Sequence, residues 1–246
     1  MMNYIVAENL KHRNTFLKKF IVIAPLIAIL NAFVLMPNYF SVNAYNWWYV
    51  ILMPASFALI TAMINRKDGK KLKYGAVFSL DVSLEKVWIS KVITALKYII
   101  IAAGIHLIGV FVIQNFASSN FVPYYRFGNL FLASIVLVIT NLWQIPFCLF
   151  LAKKLGFVTS TVVSVLAGIS LGIIFSTSKM WLLCPYSWGI RLMVPILKIN
   201  PNGTIAQITD YMVSNTNIIA PCILSVSIFS VLTFATAHWF SRLEVR

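Results

Sequence analysis

A serine nucleophile needs a sharp turn to present its hydroxyl and a base to take its proton. One stretch has the right letters: Gly168-Ile169-Ser170-Leu171-Gly172 matches G-x-S-x-G. That pattern works at a strand-to-helix turn, and here it falls in the middle of a long apolar run. Its surroundings give a packing account instead. Ser160, Ser164, Gly168, Gly172 and Ser176 recur every four residues, one small-residue stripe of the kind that lets membrane helices approach closely. His106 lies deep in another apolar run, where an ionisable group is a functional candidate. No carboxylate shares such a run with it, so a neutral, hydrogen-bonded imidazole competes with a proton carrier. Asn141, Trp143, Gln144 and Pro146 interrupt a further run; they either line a pathway or bond across helices and permit a kink. Cys148, Cys184 and Cys222 are odd in number and unpaired in spacing, which suits packing rather than disulfides or a metal. There is no G-x-x-x-x-G-K-S/T phosphate loop and no H-E-x-x-H, so nucleotide hydrolysis by that loop and zinc proteolysis are both unsupported.

The elements that would carry these residues follow from composition. The 246 residues are 60% hydrophobic and only 11% charged, against about half and a quarter in soluble domains. A net charge of +14 suggests nucleic acid only where a soluble fold offers a basic groove. Here the charge sits in short blocks between apolar runs, the pattern that orients a chain in a bilayer. The expected fold is an all-α polytopic membrane protein with six spans of roughly 17–25 residues: 20–36, 47–64, 92–114, 130–151, 157–176 and 218–239. Lys18-Lys19 before the first run reads as the start of an uncleaved span, with no small-x-small site soon after. Segments 1–19, 65–91, the 153–154 pair and the C-terminus hold fifteen Lys and Arg. The opposite loops hold four, Arg126, Lys179, Arg191 and Lys198. This bias puts both termini and the 65–91 loop in the cytoplasm, with Lys97 snorkelling from the third span and His238 at the inner interface.

Residues 181–199 compete as a seventh span. They contain Pro185, Pro195 and a central Arg191, and a mid-membrane charge costs about 2.5–3.5 kcal/mol. Re-entrant or interfacial helices over 177–217 on the outer face are expected instead. Residues 1–19 have Val6, Leu10 and Leu17 near helical spacing with basic residues between, as in a helix lying on the inner leaflet; a frayed basic tail is the alternative.

Before the third span, Ser83 can cap a short helix over 82–90. Leu84, Val87, Trp88 and Lys91 share one face, with Glu85 and Lys86 turned away. Such a knob either docks in a partner's groove or floats its Trp at the headgroups. The layout resembles a type-two ABC exporter permease, and more narrowly the small permeases of lantibiotic-immunity (bacteriocin self-protection) transporters. The resemblance is carried by VSLEKVWISK at 82–91, LWQIPFCLFLAKKLG at 142–156 and WLLCPYSWGIRLMVPILKINPNG at 181–203. Asp81 departs from it, standing where Pro is expected.

The resemblance implies a subunit without catalysis or cofactor of its own. A separate cytoplasmic ATPase dimer would bind ATP and Mg²⁺, and a second permease subunit, identical or sister, would pair with this chain. Ser83, Leu84, Glu85, Lys86, Val87 and Trp88 would form the coupling helix, and the cargo would be a cationic antimicrobial peptide. The outer segments carry four basic residues and one acid, Asp210, which would repel such a peptide at long range. Capture is therefore expected by apolar and aromatic contact within the bilayer. Trp181, Trp188 and Arg191 are candidates beside the fourth-span residues, and Trp47 and Trp48 suit an interfacial belt. Asn202-Gly203-Thr204 matches a glycosylation acceptor, a weak pattern without weight here. The rival readings are an ATP-independent carrier or channel, and an intramembrane hydrolase using Ser170 and His106.

Overall fold

The computed structural model describes residues 1–69, 77, 81–116, 124–207, 209, 211–214 and 216–243. Lys70, Lys71, Lys73, Asp210 and Arg246, which entered the charge count, lie outside them. Among the described residues the chain is all-α, with a single isolated bridge between Ile199 and Ile205. Among the described residues five helical stretches are long and apolar enough to cross a membrane, or six where the bent pair counts as one span.

Helix α1 (Met2–Lys11) turns into α2 (Phe16–Leu35), the first pass. The second pass runs from Pro37 to Asp68 as a 3₁₀ turn, α3 (Phe40–Trp47), a π-helical stretch (Trp48–Leu52) and α4 (Met53–Gly69). It starts ten residues before the expected 47. The polar residues that read as a loop are satisfied inside the bundle: Ser41 Oγ donates to Gln114 Oε1 at 2.9 Å and Tyr45 Oη to the Leu130 carbonyl at 3.0 Å. Such partners remove the cost of burying them.

The third pass, α5 (Leu84–Phe116), is one unbroken helix of 33 residues, about 50 Å at 1.5 Å per residue. The expected short helix over 82–90 is therefore not a separate element; it is the first turns of α5. No Gly or Pro stands between Leu84 and Ala103 to break it, and Lys91, whose charge suggested a boundary, is buried in the bundle. The fourth pass is α6 (Phe127–Asn141) and α7 (Gln144–Leu155), bent by 44° at Leu142-Trp143. Gly156, at φ +82°, a backbone glycine adopts readily, reverses the chain into α8 (Phe157–Ser176). The expected outer segment contains two 3₁₀ turns, α9 (Trp188–Leu197), a reversal at Lys198 and α10 (Tyr211–Ser214). At about 15 Å, α9 is half the length of a hydrocarbon core, so 181–199 does not form one helix long enough to cross it. The last pass is α11 (Ile219–Ser241).

Helix α8 shows how the bundle packs. Its buried residues are Ser160, Ser164, Gly168, Gly172 and Ser176, while Val162, Val163, Leu166 and Ile174 face outward. A methyl group on Gly168 would sit 3.0 Å from Pro54 Cβ, and one on Gly172 would sit 3.2 Å from the Tyr186 carbonyl oxygen. Lipid solvates the outer aliphatics as well as protein would, so contact falls to the small residues, where backbones come closest.

Candidate functional site

One end of the bundle gathers most of the described cations, and two of the chain's six acids are buried among them. Lys91, on the third turn of α5, is fully enclosed. Its Nζ donates to Glu8 Oε1 of α1 at 3.1 Å and to Asp68 Oδ2 at the end of α4. Lys11 bridges the same acids, 2.9 Å from Glu8 and 3.1 Å from Asp68. His12 Nε2 donates to Glu8 Oε1 at 3.3 Å. Burial alone would push the Glu8 carboxyl up. Lys91, the His12 hydrogen bond and Lys11 outweigh it and hold Glu8 well below the usual carboxylate range. Three elements far apart in sequence are thus pinned at one point: α1, α4 and the base of α5. Nothing local in the sequence marks this junction. Its traces were the scarcity of acids and a lysine at the mouth of an apolar run.

Three residues earlier, Trp88 fastens α5 to the last pass. Its Nε1–H donates to Thr236 Oγ1 at 2.9 Å, and its ring lies 4.7 Å from Phe240 and 6.0 Å from Trp239. Trp88 and Val87 are buried within the chain. This corrects the expectation that the Leu84, Val87, Trp88 and Lys91 face meets a partner: the chain's own α1, α4 and α11 occupy most of it. Ser83, Glu85 and Lys86 remain exposed and Leu84 half-exposed. Ser83 Oγ accepts from the Lys86 N–H at 3.4 Å. Glu85 Oε1 accepts from His238 Nδ1 at 3.2 Å and Ser241 Oγ at 3.3 Å. Arg66 over Phe157 (5.0 Å) and Lys154 over Trp239 (5.2 Å) close the same end.

The bend of the fourth pass meets segment 181–197. Asn141, Trp143, Gln144 and Pro146 form the bend of the fourth pass, all buried. Asn141 Nδ2 donates to the Leu137 carbonyl at 2.8 Å, and Gln144 Nε2 donates to Asn141 Oδ1 at 2.6 Å. These amides satisfy each other across the bend. Segment 181–197 lies directly on it: Tyr186 is 4.7 Å from Trp143, ring to ring, and Gly189 abuts Asn141. The Trp143 Nε1–H finds no acceptor among the described residues. Trp188 is buried and donates to the Leu182 carbonyl at 3.0 Å, whereas Trp181 is half-exposed. Arg191 is buried; its Nη1 donates to the Ser176 carbonyl at 2.9 Å and its Nε to Thr216 Oγ1 at 3.3 Å. A guanidinium on the last carbonyls of α8 complements the negative end of that helix, which is how this charge is accommodated.

His106 is enclosed on another side of α5. Its Nε2–H donates to the Ala44 carbonyl at 3.1 Å, with the ring stacked 4.8 Å from Trp48 and edge-on to Tyr45 at 4.9 Å. Nδ1 has no partner among the described residues. Ser170 is exposed on α8 and no hydrogen bond joins it to His106, so the pair a hydrolase would need is not assembled. Among the described residues no cluster of His, Cys, Asp and Glu could hold a metal. In comparisons with known proteins, no family model, no curated protein and no solved structure matches this chain.

Proposed function

We propose that this chain is the membrane-spanning subunit of an ATP-driven exporter that expels a cationic, lantibiotic-like antimicrobial peptide from a bacterial plasma membrane. Two permease subunits would join a separate ATPase dimer that binds ATP and Mg²⁺, with the basic end in the cytoplasm as the positive-inside rule requires. One observation carries the reading. The exposed tip Ser83–Lys86 begins a 33-residue helix whose base is tied to α1 and α4 through Lys91 and to α11 through Trp88. A push on that tip is handed to three other elements at once, which a coupling device needs and a merely floating interfacial helix does not. In this reading Ser83, Leu84, Glu85 and Lys86 touch the ATPase, while Val87 and Trp88 transmit. Asn141, Trp143, Gln144, Pro146, Trp181, Trp188 and Arg191 belong to the part of the bundle that rearranges around the peptide.

The test is reconstitution in vesicles with and without a partner ABC ATPase. The full complex should remove peptide from the membrane only when ATP is hydrolysed. Exchanging the charges at the tip (Glu85→Lys with Lys86→Glu) should leave the complex inserted and ATP turning over but stop peptide removal. Both positions are solvent-exposed, so the fold should survive. Removal by the purified chain alone would establish the ATP-independent carrier instead.

A further inference from the structure

Helix α1 has its polarity inside out. Glu8 and His12 are buried against the bundle, while Met2, Val6 and Leu10, spaced four apart, form an outward stripe at 72%, 50% and 60% exposure. Phe16, at the start of α2, continues the apolar surface. In water this arrangement would be upside down; it is correct where the outer side meets acyl chains. Four exposed cations belong to the same segment or its neighbour: Arg13 in the turn after α1, Lys18 and Lys19 on the first turn of α2, and Lys97 on α5. Lys97 Nζ donates to Asn9 Oδ1 at 3.3 Å, which places it beside α1. Among the described residues none of the four is paired with an acid. The acids buried beneath α1, Glu8 and Asp68, are already matched by Lys91 and Lys11.

From this geometry we infer a binding site for anionic phospholipid. Its acyl chains lie on Val6, Leu10 and Phe16, and its phosphate is held by Arg13, Lys18, Lys19 and Lys97. The occupant is a lipid rather than free phosphate because the cations border an apolar surface that an inorganic ion would leave bare. A net negative headgroup is favoured over a zwitterionic one because the choline or ethanolamine ammonium would meet the same four cations. The inference stands independently of the exporter reading.

Native mass spectrometry of the full chain from detergent micelles tests it, with dioleoyl phosphatidylglycerol and dioleoyl phosphatidylcholine offered in equal amounts. The wild type should retain phosphatidylglycerol about tenfold over phosphatidylcholine, the size of one or two headgroup–cation contacts. Changing Arg13, Lys18, Lys19 and Lys97 together to Gln should bring the ratio near one. A control with equally exposed cations removed elsewhere (Lys86→Gln, Lys154→Gln and Arg242→Gln) should keep it. Retention of the preference in the first variant, or its equal loss in the control, would overturn the site. So would displacement of phosphatidylglycerol by millimolar inorganic phosphate.

Discussion

Replacing Lys91 by methionine is the most direct trial of the ionic junction. The lysine side chain is 0% exposed, with Glu8 at 2% and Asp68 at 8%. Methionine keeps most of the volume, so the change removes the charge and strands two carboxylates in a dry site. Removing one member of a buried ion pair costs about 3–5 kcal/mol. Lys11 still reaches both acids here, which puts the expected loss near the lower end, about 3 kcal/mol. Lys11→Met should cost much less, about 1 kcal/mol, because that side chain is 32% exposed and water replaces part of the interaction. Adding Glu8→Gln to Lys91→Met should restore part of the loss by removing one stranded charge. The measurement is denaturant unfolding in detergent micelles, followed by tryptophan fluorescence. Equal effects of the two lysine changes, or strict additivity of Glu8→Gln and Lys91→Met, would refute the junction.

The same site fixes a pH dependence. The folded-state pKa of Glu8 is depressed, so its contribution is fully present above the ordinary carboxylate value of about 4.5 and is lost as pH falls through the folded value. Acidification from pH 7 to 5 should therefore leave this contribution intact, and it should decline only below about pH 4.5. In the Glu8→Gln variant that part of the acid-induced decline should be missing.

Substitutions at three further positions probe the helix contacts. Trp88→Phe should cost about 1 kcal/mol, the hydrogen bond to Thr236, whereas Trp88→Ala should cost about 3–5 kcal/mol by leaving a cavity between α5 and α11; equal costs would mean that the ring does not fill that space. A methyl on Gly189 would lie 2.8 Å from Asn141 Nδ2, which is already bonded, so Gly189→Ala should lower stability by about 1–3 kcal/mol. Gly104 has nothing within 4 Å of a new Cβ, and Gly104→Ala should be neutral or stabilising by up to about 1 kcal/mol; thermal unfolding of the two in parallel gives the comparison.

What could be read from the sequence divides along a physical line. Hydropathy reports where a helix meets lipid, so the first, fifth and sixth passes were legible from their apolar runs, and α8 also from its four-residue stripe. Contacts between elements far apart left little local trace. Lys91 meets Glu8 and Asp68 across 83 and 23 residues. In the sequence Lys11 reads only as a charge that orients the chain, and Lys91 as that and as one member of the Trp88 face. Trp88 announced a buried face without saying what covers it, and the cover turned out to be α11. The stretch 37–46 reads as a loop because Ser41 and Tyr45 find their partners far away in sequence, in α5 and α6.

In this bundle, polarity and burial are often reversed from the soluble rule. Helix α8 buries serines and glycines, α1 buries Glu8 with His12 at its C-cap, and α11 buries Ser225, Thr233 and Thr236 while exposing Val231 and Phe234. In lipid, aliphatic side chains gain little from leaving the solvent, while polar groups gain partners only inside. The tip Ser83–Lys86 follows the opposite rule, with its charged residues outward and Val87 and Trp88 within. The change of rule falls within one continuous helix, at Val87 and Trp88 near the start of α5. The exposed tip is joined directly to the Trp88 and Lys91 anchors, and through them to α1, α4 and α11.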